Sequence, residues 1–366
     1  MHPQIGAYFG RLWRKAINLT TADITIRGAG ILGLSIAWAC TQRGAKVCLV
    51  DPNGPASGSS GSVVGALSPH VPERWEPKKQ FQLDSLLMAQ GFWDNVTEQG
   101  GLNTGYMRTG RLQPIATENV LALSHARTQN AKALWNGQAS WSVIPVDHAN
   151  PWAPHSPTGM LIFDDLSAHM HPRMACAALV AALRSNGVEV QADAPDAGKT
   201  IWATGVQGLT DLSAAHAHDV GAGEKGQAAL LKFDMPNAPQ LYADYLHVIP
   251  HVDGTVGVGS TSERHYDDPF STDEQLEDII DRIRTALPVL ADAPVIERWA
   301  GLRPRSRTRA PMLGALPDRP NHFVANGGFK IAFGLAPKIA EVMADLVLDG
   351  QNNIPEIFDI QASLLP

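Results

Sequence analysis

The Ile-Thr-Ile run at 24–26 reads as a short strand, GAGILGLSIAWACTQRG as a turn and a helix closed by Gly44, and residues 46–51 as a second strand. Alternation is absent from Val47, Cys48, Leu49 and Val50, which predicts a central parallel strand covered on both faces. The pattern returns after position 160, with HPRMACAALVAALRSNG as a helix and KTIWATG at 199–205 as a strand ending in a small-residue turn. A third return puts a strand at 322–325, a turn at NGGFKIAFG and a helix at 335–348, with Pro337 in its first turn and Gly350 just beyond its end. Leu335, Ile339, Val342, Met343 and Leu346 share a face of that helix, so it packs on the sheet. Strand-like and helical segments mix in 75–158 and 209–296, including VGVGST and the acidic helix DEQLEDIIDRIRTAL. The expectation is an α/β chain. A discontinuous nucleotide domain (22–74, 159–208 and 297–366) holds an inserted α+β substrate domain (75–158 and 209–296) on a mainly antiparallel sheet, after an N-terminal extension at 1–21.

Composition narrows the class. With 366 residues, 44% of them hydrophobic and 18% charged, the chain can bury one large or two medium cores. A formal net charge of -7 argues against a general binder of nucleic acid, whose phosphates reward clustered cations. The first residues carry no apolar signal-peptide core, and no window nears the roughly 18 charge-poor apolar residues of a membrane span, so the expectation is a cytoplasmic protein without a membrane span. Cys40, Cys48 and Cys176 form no CxxC and read as small buried residues.

Gly28, Gly30 and Gly33 form GxGxxG between the first strand and its helix. Such a turn is tight, lets backbone approach a pyrophosphate, and points free helix N–H groups at negative charge. Asp51 ends the next strand 18 residues beyond Gly33, where a carboxylate accepts hydrogen bonds from ribose. Ala29, Ile31, Leu32 and Pro52 complete this dinucleotide site. A second literal match, GAGEKG at 221–226, follows HAHDV rather than a strand and is rejected as a loop. With one dinucleotide site, the substrate itself must be the electron donor.

In order, GAGILGLSIAWACTQRGAKVCLVD, ASGSSGSVVGALSP, HPRMACAALVAAL, IWATG, VIPHVDGTVGVGST, RWAGLRPRSRTRAPMLG and ANGGFKIAFGLAPKIAEVMADLVLDG resemble the D-amino-acid oxidase superfamily, above all its glycine oxidase and sarcosine oxidase-like members. The resemblance spans 23–350. It implies a Rossmann-type FAD-binding domain, FAD as cofactor, and oxidation of a C–N bond to an imine that water hydrolyses. Ser60, Gly61 and Ser62 then run along the cofactor, Gly65, Ala66 and Leu67 lie near its ring, Ala203, Thr204 and Gly205 stand beside it, and Gly327, Gly328, Phe329 and Ile331 lie against the isoalloxazine. Arg303 is similar to the arginine that grips a substrate carboxylate, a task suited to a planar guanidinium fork. Lys330 matches a basic position of the sarcosine oxidase-like branch. His247 stands where glycine oxidase-like relatives carry a tyrosine; it orients the amine or is a plain strand histidine.

His169/His171 and His216/His218 alternate without a third ligand in view, so no metal is expected. Arg303, Arg305, Arg307 and Arg309 would share a face of an extended segment, either solvated or paired with acids, or suited to a substrate with more than one acidic group. The chain departs from the family pattern at Arg27, in the short stretch 188–202, and at Thr308 and Arg309 where an aspartate is usual. No cysteine falls near the flavin segments, so the FAD is expected to be non-covalent.

The expected reaction is hydride transfer to flavin N5 from a small amine or amino acid, with oxygen or an electron carrier as acceptor. Homo-oligomerisation stays open. The alternatives are a dehydrogenase feeding a quinone or carrier, a tRNA-modification-type oxidase acting on a bulky anionic substrate, and a non-catalytic FAD-binding protein.

Overall fold

The expected βαβ opening forms as β1 (Ile24–Arg27), α1 (Ile31–Gln42) and β2 (Val47–Val50). The structure, a computed structural model, describes residues 22–146 and 151–365, so the extension at 1–21 lies outside the described residues. Beyond β2 come a turn at Ser59–Gly61, the short strand β3 (Ala66–Leu67) and the long helix α2 (Pro77–Gly100). β4 (Arg111–Pro114), α3 (Glu118–Leu134), β5 (Trp141–Pro145) and β6 (Met160–Asp164) lead to β7 (Ala168–His169), which pairs back antiparallel on β3. The α/β pattern resumes with α4 (Pro172–Ser185), β8 (Val190–Gln191), β9 (Lys199–Trp202) and α5 (Gly205–His216). A second excursion makes β10 (Gly221–Lys232), β11 (Gln240–Ala243), β12 (Leu246–Pro250), β13 (Thr255–Gly259), α6 (Glu274–Ala286) and β14 (Val295–Ser306). β15 (Met312–Ala315), β16 (His322–Asn326), α7 (Ala332–Ala344) and α8 (Gln361–Leu364) close the chain.

Two large sheets result. The first runs β15-β16-β9-β1-β2-β8 and is parallel except at β15/β16. The second runs β14-β10-β13-β12-β11-β4-β6-β5 and is antiparallel except at β4/β11. Helices α1, α4 and α7 bury Leu34, Ile36, Ala175, Leu179, Ile339 and Met343 in one core with the parallel sheet, and α2 packs on α4 and α7. Leu276, Ile279, Ile280 and Ile283 recur at helical spacing on α6 and close the core of the second sheet, while Asp273 caps that helix by accepting from the Gln275 N–H. Among the described residues no helix is long and apolar enough to cross a membrane.

Four local expectations need correction. β2 is not central: it lies second from the edge, and Val47 and Cys48 are half-buried because its outer neighbour β8 has only two residues. Cys48 is therefore not a buried cysteine, although Cys40 and Cys176 are. The last long helix begins at Ala332, so Pro337 falls in its second turn rather than its first. Its final turn, Asp345–Asp349, is wide, which buries Val347 and leaves Leu346 half-buried. Finally, GAGEKG is not a loop but the start of β10, paired along its length with β14.

Arg27 finds the partner that a charge at a strand end requires. Its Nε lies 2.6 Å from Asp196 Oδ1, Nη2 donates to the Ala194 carbonyl at 2.9 Å, and the guanidinium carbon stands 5.5 Å from the centre of the Trp202 ring.

Candidate active site

The turn between β1 and α1 leaves no room for side chains. Gly28 has φ +104°, and a Cβ there would stand 2.3 Å from the Ala203 carbonyl oxygen. A Cβ on Gly33 would stand 1.9 Å from the Gly28 carbonyl oxygen, so helix and strand end pack backbone on backbone. Helix α1 starts after Gly30, which has no side chain to cap it, and its positive end favours an anion. Asp51 holds this turn: Oδ2 accepts from the Ala29 N–H at 2.8 Å and Oδ1 from the Asn53 N–H at 3.0 Å. Pro52 follows directly, and Leu32 is buried in α1.

The segment after β2 approaches the same helix end. Ser60 is buried and its Oγ accepts from the Ile31 N–H at 2.9 Å. Gly61 fits against Ala56, and its carbonyl accepts from Arg173 Nε at 2.7 Å, while Arg173 grips Glu297 with both terminal nitrogens. Gly65 lies where a Cβ would meet the Met170 carbonyl oxygen at 2.2 Å, and Ala66 and Leu67 pair with β7.

A cavity of about 420 Å³ extends from this helix end to the second sheet, and Ile31, Ser60, Ser62, Ala66, Phe329 and Ile331 line it. His247, Arg303 and Lys330 line it too, so all three candidate catalytic side chains converge there. Not every expected residue does. Leu67 is buried in the core, and Thr204 and Gly205 begin α5, where Thr204 lines a separate cavity of about 280 Å³ with Trp202 and Leu212. Gly327 and Gly328 shape the turn that carries Phe329, itself in the left-handed region at φ 45°.

Arg303 extends from β14 and is half-buried. Its Nη2 donates to Ser260 Oγ at 2.6 Å and its Nη1 to the Thr261 carbonyl at 3.2 Å; among the described residues it makes no ion pair. Burial pushes its pKa down to about 10, against the pull of Glu224 and Glu263, so the group stays cationic at neutral pH. Lys330 donates Nζ to Ser262 Oγ at 2.8 Å and stands 5.3 Å from the Phe329 ring centre. Burial and then the Arg303 charge lower its pKa. His247 is held neutral, pushed down to about 3 by burial and then by Arg111, Lys330 and Arg303. Its Nδ1 is buried without a hydrogen-bonding partner among the described residues, and its ring leans on Tyr242 at 4.8 Å between centres.

Sequence reasoning missed several parts of this site. Gly226, in the discarded GAGEKG match, makes space for Arg303: a Cβ there would stand 1.8 Å from its Nη1. Arg111 lines the cavity but is engaged by the fully buried Asp164, with Nη2 3.1 Å from Oδ2. His70 lines it as well, tied to Gln82 and held neutral by burial. The alternating arginines do not act together. Arg305 pairs with Glu224 at 3.4 Å, Arg307 donates to the carbonyls of Ala362 and Leu365, and exposed Arg309 sits in the left-handed region, so only Arg303 faces the cavity. Among the described residues no group of three or more ligating side chains is placed to hold a metal.

The family model described as FAD dependent oxidoreductase matches residues 23–346. The chain belongs to that family. It is 25% identical to the bifunctional protein ThiO/ThiG of Trichormus variabilis over 91% of its own length, and it spans 54% of that relative. Glycine oxidase of Bacillus subtilis is 22% identical, with 90% of this chain and 94% of that protein covered. Among solved structures, iminodiacetate oxidase from Chelativorans sp. BNC1 superimposes with a TM-score of 0.80 at 20% identity, covering 92% of this chain and 98% of that one. The family's cofactor is FAD, and the residues present fit it. A glycine cradle that side chains would fill meets the positive end of α1, and an open cavity leads from there to Phe329. None of the three cysteines lines that cavity.

Proposed function

We propose that this chain oxidises the C–N bond of a small amine or amino acid to an imine, with the substrate carboxylate on Arg303. The observation that carries the reading is a half-buried guanidinium, without a carboxylate partner among the described residues, facing the same cavity as Ile31 and Phe329. FAD, when bound, would supply the hydride acceptor, with oxygen or a carrier as the final electron acceptor. Gly28, Ala29, Gly30, Gly33 and the positive start of α1 would hold its pyrophosphate, and Asp51 its ribose. Arg303 grips the carboxylate with a planar fork and fixes the neighbouring C–H for transfer, the contribution of orientation.

The positive field of Arg303 and Lys330 has a second effect: it disfavours an ammonium and so supplies the substrate nitrogen with a free lone pair, which drives loss of the α-hydride. No side-chain base is required for that step. Neutral His247 lines this space and orients the amine by hydrogen bonding. The test is anaerobic bleaching of the flavin bands of purified, FAD-loaded protein by D-amino acids, glycine, sarcosine and cyclic imino acids. Arg303→Ala is expected to keep the flavin and to raise the concentration needed for half-maximal bleaching by at least about tenfold. Protein that no amine bleaches would refute the reading.

A further inference from the structure

The wall of the cavity farthest from Arg303 carries an ion pair whose donors are only partly used. On the second sheet Arg111 of β4, Tyr242 of β11 and His247 of β12 line the cavity from three adjacent strands. Arg111 is 7% exposed and Asp164 is fully buried. Nε of Arg111 donates to Asp164 Oδ2 at 3.1 Å, Nη2 lies 3.1 Å from the same oxygen, and Asp164 Oδ1 accepts from the Ser167 N–H at 2.8 Å. The carboxylate is thereby filled, while Nη1 of Arg111 makes no hydrogen bond among the described residues and is open to the cavity. A buried ion pair adds little stability over apolar side chains of the same volume, so stability alone does not explain an arginine here with donors to spare. Because Asp164 cancels its charge, the wall offers N–H donors without a net charge, and a second carboxylate brought there would stand beside Asp164.

We infer that the preferred substrate carries, on the arm remote from its carboxylate, an uncharged hydrogen-bond acceptor such as an amide or ketone oxygen, to which Arg111 donates. This rests on the reading above that Arg303 takes the carboxylate. The sheet sets the span. Arg303 is fixed at Ser260, directly after β13, and β4 lies three strands from β13, which at about 4.8 Å per strand is about 14 Å. A hydrogen bond at each end takes about 3 Å, so about 8 Å separates the two acceptors of the ligand. Glycine and sarcosine are too short to reach both groups, whereas an amino acid or secondary amine with a substituent of several atoms spans them. Arg111 is thereby a specificity residue, and Asp164 the positioning residue that aims it.

The experiment titrates FAD-loaded protein by calorimetry with inert acids that hold no nitrogen. They are methyl-ketone acids of five to eight carbons, the ketone next to the terminal methyl, each against the acid in which a methyl branch replaces the ketone oxygen. In the longer pairs the ketone acid is expected to bind at least about tenfold more tightly, the worth of a hydrogen bond from a charged donor. Arg111→Met alone strands the Asp164 charge, so it is combined with Asp164→Asn, which keeps an acceptor for the Ser167 N–H. The flavin spectrum reports that the double variant is folded and loaded, and there the ratio is expected to fall to within about threefold. Equal affinity within every pair in the unaltered protein overturns the inference, as does a preference that survives in the double variant. Amine bleaching is run in parallel. If ketone acids are preferred but no amine bleaches the flavin, the subsite stands and the oxidation reading falls; if amines bleach it and no such preference exists, the reverse holds.

Discussion

Acidification is expected to destabilise this protein well before its carboxylates titrate, because two fully buried histidines cannot accept protons in the folded state. His169 and His251 are each 0% exposed. Burial pushes His169 down to about 4 and His251 lower still, the latter also by the neighbouring His171 and His169. The geometry explains why. His169 has no side-chain partner among the described residues and only the Ala238 backbone beside it, His251 Nδ1 meets only Thr255 Oγ1 at 3.0 Å, and the His171 ring lies 4.5 Å from that of His251. The charges facing this cluster are Asp253, Arg173 and Glu297, and the last two are engaged with each other.

Between the unfolded value near 6.5 and the folded values, the unfolded chain binds more protons than the native one. Stability is therefore fully present above about pH 7 and falls as pH is lowered. Each such group contributes a slope of about 1.4 kcal/mol per pH unit near pH 5, so the pair gives about 2.8 kcal/mol per unit, and His247, likewise held neutral, adds a similar amount again. The measurement is equilibrium urea unfolding by far-UV circular dichroism at half-unit steps from pH 7 to 5, with FAD saturating throughout. His169→Leu removes one titrating group and is expected to reduce the slope by about 1.4 kcal/mol per pH unit, whatever it does to stability at pH 7. A curve that is flat across this range, or an unchanged slope in His169→Leu, would refute the reasoning.

Gly33→Ala drives a Cβ to 1.9 Å from the Gly28 carbonyl, so the β1–α1 turn must open; a stability loss on the order of 3 kcal/mol and loss of bound flavin are expected, read by thermal melting and visible absorbance. Gly226→Ala behaves differently, because its new methyl meets the movable end of Arg303 rather than backbone. Flavin retention should survive while the half-saturating concentration of a carboxylate substrate rises about tenfold or more, and unaltered saturation would show that Arg303 is not gripping the substrate. Asp164→Asn removes the partner of buried Arg111 and is expected to cost about 3–5 kcal/mol in urea unfolding.

What the sequence made legible was local. The first βαβ unit could be read because its glycines, helix periodicity and terminal aspartate lie within 28 residues of one another, from 24 to 51, and each is explained by its neighbours. The amphipathic helix α6 was readable for the same reason. Local spacing failed where a residue's role is set by a distant one. Gly226 is small because Arg303 folds across it from the paired strand, and the GxGxxG spacing around it is coincidental. Nothing near Arg111 announces Asp164, and His251 meets His171 only once the second sheet has been assembled. The late start assigned to α7 has a similar origin. Phe329 occupies a backbone region that non-glycine residues rarely adopt, which completes the turn early and lets the helix begin at Ala332.

The same non-local logic governs the charges. Alternation at 303, 305, 307 and 309 pointed to one basic face, yet strand pairing gives Arg305 to Glu224 and the chain end takes Arg307. The second cation at the cavity comes instead from Lys330, on the turn between β16 and α7, far along the chain from β14. Both cations lean on the 260–262 segment, so their spacing is set by that segment's backbone and not by either side chain's own strand or turn. A carboxylate introduced at Ser262 would place negative charge against Lys330 and within reach of Arg303's field. On the electrostatic reading, Ser262→Asp should therefore weaken carboxylate binding most at low ionic strength, whereas a site selecting by shape alone would show a loss independent of salt.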